Sequence, residues 1–79
     1  MPSDNDELAF NQALCERVKN CRVQKNWTAD QMARALGIPA ERYRKYEGRS
    51  VLPVYLIERF ALITGKSVEF IVTGHESKR

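Results

Sequence analysis

Cations and aromatic rings are interspersed in one stretch near the middle of the chain, ALGIPAERYRKYEGR (residues 35–49). The stretch holds four cations, two tyrosines and only two carboxylates. Cations of this kind bind phosphates, and guanidinium groups also make directed hydrogen bonds to base edges. The alternative is a solvated helix face, in which Glu41 and Lys45 pair four residues apart and contribute about 0.3–0.5 kcal/mol.

The positive charge is concentrated in that part of the chain. The formal net charge is only +3, from 13 basic and 10 acidic residues. Residues 1–16 carry four acids and no Lys or Arg, whereas residues 17–49 carry nine cations against three acids. Residues 50–79 carry four cations and three acids. A basic middle segment of this kind indicates a polyanionic partner.

Other residue types that perform chemistry are few and isolated. Cys15 and Cys21 are six residues apart, which separates them by about 240° around a helix and excludes a shared disulfide. Together with His75 they are too few for a zinc site of normal ligand count. No Ser/His/Asp set, carboxylate pair or phosphate-binding loop is present. We therefore expect no enzyme activity, no metal or cofactor and no small-molecule ligand, with Cys21 buried and Cys15 more accessible.

The length of 79 residues is that of one small domain. No apolar run approaches the roughly 20 residues that span a membrane. The first ten residues, MPSDNDELAF, contain no basic residue and do not resemble a secretory signal. We expect a cytoplasmic protein with an acidic, flexible N-terminal segment at residues 1–8, one domain at residues 9–74 and a tail at residues 75–79.

Apolar stripes and helix stop signals predict an all-α, compact bundle of about five short helices. The first runs from about Asp6 to Lys25, and Asn26 follows it in the left-handed conformation. Thr28 and Gln31 form a capping box for the second helix. Further start and stop residues are Gly37, Pro39, Gly48, Pro53, Gly65 and Ser67. The predicted core is Leu14, Val18, Cys21, Met32, Ala33, Leu36, Tyr43, Tyr46, Leu56, Ile57, Phe60, Ala61, Ile63, Val68 and Ile71.

The second and third predicted helices are joined by the short connection at residues 37–39, which is the helix-turn-helix arrangement. If Tyr43 points inward, Tyr46 shares its face at about 60° around the helix. Glu41 and Lys45 then lie opposite the core. Arg42 and Arg44 flank them, one on each side. The third helix therefore presents a charged outer face without large apolar residues.

Three stretches carry a resemblance to a known family: RVKNCRVQKNWTADQMARALG, IPAERYRKYEG and LIERFALITGKSVEFIVTG. Together they extend from about Leu14 to Gly74, and they resemble the lambda-repressor-like, Cro/repressor-type (XRE family) helix-turn-helix proteins. The resemblance implies a small transcriptional regulator, a phage-type or bacterial repressor, that binds double-stranded DNA sequence-specifically. It places the helix at residues 40–47 in the major groove, and two-fold operators would require a homodimer.

The resemblance also implies residue roles. Base-facing positions are Ala40, Glu41, Arg44 and Lys45. Thr28 and Arg22 correspond to positions that contact phosphates, and Arg22 and Glu47 correspond to a structural ion pair between the first helix and the end of the recognition helix. Arg42 and Arg49 are assigned to phosphates because they lie on the flanks of the outer face. Ala29 replaces the glutamine that commonly anchors a phosphate, so we expect a weaker contact with the DNA backbone there. Ala40 offers at most a contact with a thymine methyl group.

The sequence is also compatible with a second class of function: a protein-interaction module, or an antitoxin-like partner of another protein, with the same fold. The residues expected to form such a surface are apolar and cluster around the start of the fourth helix. The same residues could instead form a homodimer interface. The residues of this candidate surface are Val51, Leu52, Val54 and Tyr55, with Leu56 and Leu62 as further candidates.

Overall fold

The computed structural model of the protein describes residues 4–76, with side chains from residue 6 onward. It contains five α-helices and, within those residues, no strand. The all-α prediction is confirmed. Predictions for residues 1–3 and 77–79 lie outside the described residues. The helices are α1 (Asp4–Gln24), α2 (Ala29–Leu36), α3 (Ala40–Lys45), α4 (Val54–Thr64) and α5 (Val68–Thr73).

Helix α1 is longer than predicted, because it begins at Asp4 and includes part of the acidic segment. Among the side chains described from residue 6 onward, the first buried one is Leu14, so residues 6–13 lie outside the buried core. The predicted stripe of Leu14, Val18 and Cys21 is buried. Asn26 follows the helix with φ 61°, the left-handed conformation expected of an asparagine at a helix end.

Helix α2 is bounded by the two signals that the sequence predicts. At its start, Thr28 Oγ1 accepts a hydrogen bond from the Gln31 N–H at 3.1 Å, and Gln31 Oε1 accepts one from the Thr28 N–H at 2.7 Å. At its end, Gly37 takes φ 76°, and its N–H donates to carbonyls of the last turn. The Ile38 N–H also donates back, to the Ala33 carbonyl at 3.0 Å. The connection to α3 is therefore a closed, hydrogen-bonded turn.

Helix α3 is shorter than the predicted span of residues 40–47. Pro39 caps it instead of forming its first residue, and it ends at Lys45. The N–H groups of Tyr46 and Glu47 donate to carbonyls three residues back, which tightens the chain into turns after the helix. Tyr43 and Tyr46 are both buried, as predicted, so the inner face of α3 is aromatic.

Helices α4 and α5 close the bundle. Pro53 precedes α4, and Gly65 ends it with φ 75°. Ser67 caps α5 by accepting from the Phe70 N–H at 2.9 Å. The prediction that Val68 points inward is wrong, since it is 42% exposed. The start of α5 is exposed at residues 67–69, and only its second turn reaches the core through Ile71.

Leu52, which the sequence suggested for an exposed surface, is instead part of the core, and Leu56, which was predicted for the core and also named as a possible surface residue, belongs to the core. Leu52, in the segment between α3 and α4, and Leu56, in the first turn of α4, are both buried. Ile63, predicted as core, is partly buried against it. The buried core cluster is Leu14, Val18, Cys21, Met32, Ala33, Leu36, Tyr43, Tyr46, Leu52, Leu56, Ile57, Phe60, Ala61 and Ile71.

The prediction that Cys15 is more accessible than Cys21 is wrong. Cys15 is only 4% exposed, and its thiol donates to the Ser50 carbonyl at 3.3 Å. The segment after α3 therefore lies over this side of α1, a contact that helical periodicity cannot reveal. Burial raises the pKa of both thiols, which lowers the thiolate population at neutral pH.

Within residues 4–76, none of the helices combines the length and the apolar character that crossing a membrane requires. The same part of the chain has no cluster of three His, Cys, Asp or Glu residues able to hold a metal ion.

Replacing Gly37 with alanine should lower the free energy of unfolding by about 1–2 kcal/mol, because the left-handed conformation is strained for a residue with a Cβ. The strain is in the backbone alone: the nearest atom to an added Cβ is Arg59 Nη1, at 4.0 Å. Urea unfolding followed by circular dichroism measures the change.

Gly48→Ala is the matched control. Gly48 is not among the glycines with positive φ, and an added Cβ would lie 3.8 Å from the Arg44 carbonyl, an ordinary contact. This variant should unfold at the same urea concentration as the unaltered protein or slightly above it. Equal destabilisation by the two substitutions would show that the turn at Gly37 is not formed as described.

Candidate nucleic-acid interface

Helices α2 and α3 pack directly against each other across the Gly37 turn. Ala33 of α2 is buried, and its carbonyl accepts from the Ile38 N–H in the turn between the two helices. Because the inner face of α3 is occupied by Tyr43 and Tyr46, only its opposite face is available to a partner. The packing therefore determines which residues of α3 reach solvent.

Three of the four predicted base-facing residues lie together on that outer face. Glu41, Arg44 and Lys45 are exposed and line a shallow, open depression. Gly48 and Arg49 complete its wall, so the chain after α3 belongs to the same surface. The depression has a positive balance, with three cations and one carboxylate.

Ala40, the fourth predicted base-facing residue, lies apart from this group. It is partly buried against the core and lines a second depression between α2 and α3. Asp30 and Arg34 from α2 lie along the same second depression. The start of α3 is therefore flanked by charged residues of α2.

The predicted phosphate-facing residues divide into two groups. Thr28 and Arg49 have exposed side chains, one before α2 and one after α3. Arg22, which is partly buried, and Arg42, which is exposed, both donate hydrogen bonds to other residues of the protein, and Thr28 Oγ1 accepts the capping bond from Gln31. Thr28 and Arg49 bracket the helix-turn-helix unit at its two ends.

Arg42 lies between two tyrosines. Its Nε donates to the Tyr46 hydroxyl at 2.8 Å, and its Nη2 donates to the hydroxyl of Tyr55 on α4. The guanidinium carbon is 6.0 Å and 5.9 Å from the centres of the two rings. The pKa of Arg42 is raised, mainly by the hydrogen bond to Tyr46 and secondly by the bond to Tyr55. Sequence reasoning missed this cluster, although Arg42 and Tyr46 are four residues apart.

Arg22 and Glu47 form a two-pronged ion pair. Arg22 Nε lies 2.6 Å from Glu47 Oε2, and Nη2 lies 3.0 Å from Oε1. The third nitrogen, Nη1, donates to the Trp27 carbonyl at 2.6 Å, and the Tyr43 hydroxyl donates to Glu47 Oε2. The side chains of Arg22 and Glu47 are only 14% and 11% exposed. The pair joins α1 to the chain just after α3.

The network shifts the pKa of two of its members upward. The hydrogen bond from Arg22 to Glu47 raises the pKa of the guanidinium, which therefore stays protonated. Burial, followed by the contact with Glu47, raises the pKa of Tyr43, so its hydroxyl remains a donor. Each guanidinium nitrogen of Arg22 has a partner within the protein, so a phosphate would have to displace one of these hydrogen bonds to bind it.

A second ion pair was not anticipated from the sequence. Arg44 Nη2 donates to Asp30 Oδ1 at 2.8 Å, and the two side chains are 59% and 62% exposed. Asp30 belongs to the first turn of α2, so the pair links the two helices on their solvent side. The residues are fourteen positions apart, and only the crossing of α2 and α3 brings them together.

The sequence is similar to that of YonR, an uncharacterized HTH-type transcriptional regulator derived from the SPbeta prophage of Bacillus subtilis strain 168. The two are 35% identical over 60 residues, which cover 75% of this chain and 56% of YonR. The match thus spans little more than half the length of this curated relative. No family model matches the chain, and no solved structure matches it significantly.

A double-mutant cycle on Arg22→Met and Glu47→Gln should give a coupling free energy of about 1–3 kcal/mol, because each single change leaves a partly buried polar group without its partner. Removing one partner should cost more than removing both. The double variant should therefore be more stable than the sum of the two single changes implies. Urea unfolding provides the four free energies.

The exposed pair serves as the comparison for this cycle. Arg44→Met and Asp30→Asn should couple by only about 0.2–1 kcal/mol, since solvent screens the charges. Equal coupling in the two cycles would show that the partial burial of Arg22 and Glu47 has no energetic consequence.

Proposed function

We propose that the protein is a transcriptional regulator that binds double-stranded DNA sequence-specifically, with α3 in the major groove. The observation that carries this proposal is the outer face of α3, where Glu41, Arg44 and Lys45 line one open depression with Arg49. The basic middle of the chain and the similarity to an HTH-type transcriptional regulator support it. The proposed regulator would act in the cytoplasm and by binding alone.

The dimensions and chemistry of α3 suit base recognition. The major groove, about 12 Å wide, admits a helix. Arg44 and Lys45 can donate to the O6 and N7 atoms of guanine, and Glu41 can accept from the amino group of cytosine. Ala40 contributes at most an apolar contact to a thymine methyl group. Three polar side chains within two turns can thus read neighbouring base pairs.

Phosphate contacts would position α3 without reading sequence. Thr28 and Arg49 are the best placed, because both are exposed and lie at opposite ends of the helix-turn-helix unit. Arg42 retains its charge on α3 and remains in the proposed set, although the tyrosine hydroxyls restrict its reach. Ala29 has no side chain able to bind a phosphate, and the nitrogens of Arg22 are hydrogen-bonded within the protein. The set of phosphate contacts is therefore small.

We further propose that two copies associate through the exposed apolar side of α4. Val54 and Leu62 are 85% and 81% exposed, and Tyr55 and Val51 are further exposed apolar residues of this region. These four residues form the proposed apolar strip, with the exposed Glu58 and Arg59 between Tyr55 and Leu62 along α4. Burying this strip would remove apolar surface from water and present two α3 helices to a two-fold operator. A second copy also doubles the small set of phosphate contacts.

Lys45→Ala and Arg49→Ala should impair DNA binding in different ways. Loss of Lys45 should change which duplexes are preferred, by about 1–3 kcal/mol for the lost base contact. Loss of Arg49 should weaken binding to all duplexes alike and lower the slope of log K against log salt by about one unit. Selection of bound sites from random duplexes, followed by fluorescence anisotropy in a salt series, measures both effects.

Lys19→Ala provides a charge-matched control, because Lys19 is an exposed cation of α1. It should leave the preferred sequence unchanged. If the unaltered protein binds no duplex at low salt, or if Lys45→Ala and Arg49→Ala behave identically, the placement of α3 in the major groove is wrong.

Leu62→Glu should convert a dimer into a monomer, since it places a charge in the proposed apolar interface. Val23→Glu is the matched control, because Val23 is an exposed apolar residue of α1. Size-exclusion chromatography with light scattering gives the mass of each variant. If the unaltered protein is a monomer, the homodimer is wrong. The apolar strip would then be available to bind a different protein, as the interaction-module hypothesis requires.

A further inference from the structure

The ion pair between Asp30 and Arg44 lies at the boundary between the two depressions of the helix-turn-helix unit. Arg44 lines the depression on the outer face of α3, and Asp30 lines the second one beside Ala40. The contact is single, between Nη2 and Oδ1 at 2.8 Å. An acidic side chain of α2 therefore restrains one of the cations that the proposed DNA contact uses.

Stability does not account for this arrangement. Both side chains are more than half exposed, and exposed ion pairs contribute little because solvent and salt screen them. Asp30 already has a favourable position in the first turn of α2, where a carboxylate interacts with the positive end of the helix dipole. The pairing with Arg44 is an addition to that role.

The pairing changes what Arg44 can bind. A guanidinium has five N–H donors, and this single contact leaves most of them available. The neighbouring carboxylate offsets the positive charge of the guanidinium and so weakens its attraction for anionic phosphates. Base edges present neutral acceptors, whose hydrogen bonds to the guanidinium depend less on its net charge. Arg44 is thus biased toward base edges and away from the DNA backbone.

We propose that Asp30 is a positioning residue that raises the ratio of specific to non-specific DNA binding by acting through Arg44. This inference rests on the proposed function. Asp30 restrains the guanidinium above the outer face of α3 and reduces its contribution to sequence-independent attraction.

Asp30→Asn tests the inference, because it keeps the shape of the side chain and removes its charge. Fluorescence anisotropy with the selected duplex and with a scrambled duplex, each in a salt series, gives both affinities. Binding to the scrambled duplex should strengthen about two- to fivefold, the range expected for releasing an exposed ion pair. Its salt slope should steepen by about one unit. Binding to the selected duplex should change less, so the ratio of the two affinities should fall.

Two controls separate this effect from a general change in charge. Glu16→Gln removes one exposed carboxylate from α1 and should leave the ratio unchanged. Arg44→Gln removes the partner, and in that background Asp30→Asn should no longer strengthen binding to the scrambled duplex. All four variants alter exposed residues, and circular dichroism confirms that each is folded.

The outcomes distinguish the inference from the function on which it rests. If the unaltered protein binds no duplex, or binds all duplexes equally, both are wrong. If it binds selectively but Asp30→Asn behaves like Glu16→Gln, only the role of Asp30 is wrong. Persistence of the Asp30→Asn effect in the Arg44→Gln background would also overturn that role, because the carboxylate would then act on DNA directly.

Discussion

The orientation of α3 depends on the charged network around Glu47. Helix α3 has only six residues, too few to be stable alone, and it is held by what its inner face and its end contact. Tyr43 is buried in the core and donates to Glu47, which accepts two hydrogen bonds from Arg22. Arg22 in turn donates to the Trp27 carbonyl, at the start of the segment leading into α2. One network thus connects α1, the helix-turn-helix entry and the end of α3.

The arginines of this region differ in availability for a reason that charge counting cannot show. Arg22 is almost enclosed, Arg42 lies between two tyrosines, and Arg44 is paired with a carboxylate. Arg49 lines the open depression with an exposed side chain. A basic segment therefore resolves into cations that organise the fold and cations that a polyanion can reach.

Local signals account for what the sequence could predict. The capping box of Thr28 and the left-handed Gly37 depend only on neighbouring residues, and the inward pair Tyr43 and Tyr46 follows from helical geometry. The outer face of α3 could be predicted for the same reason. The errors are long-range: Cys15 is covered by the chain near Ser50, and Asp30 meets Arg44 only because α2 and α3 cross. Periodicity contains no information about which segment lies over a helix face.

Tyr55 connects the two proposed surfaces. Its hydroxyl accepts from Arg42 on α3, while its exposed ring belongs to the apolar strip of α4. In the proposed homodimer, the interface would surround this ring and fix the hydroxyl that restrains Arg42. Association of two copies would then act on α3 at one end through Tyr55, while Glu47 holds the other end from within the same chain. In that proposal, the interface would restrain α3 at Arg42 while Glu47 restrains its end from within the same chain, so association of two copies would limit the movement of the helix that is proposed to contact DNA.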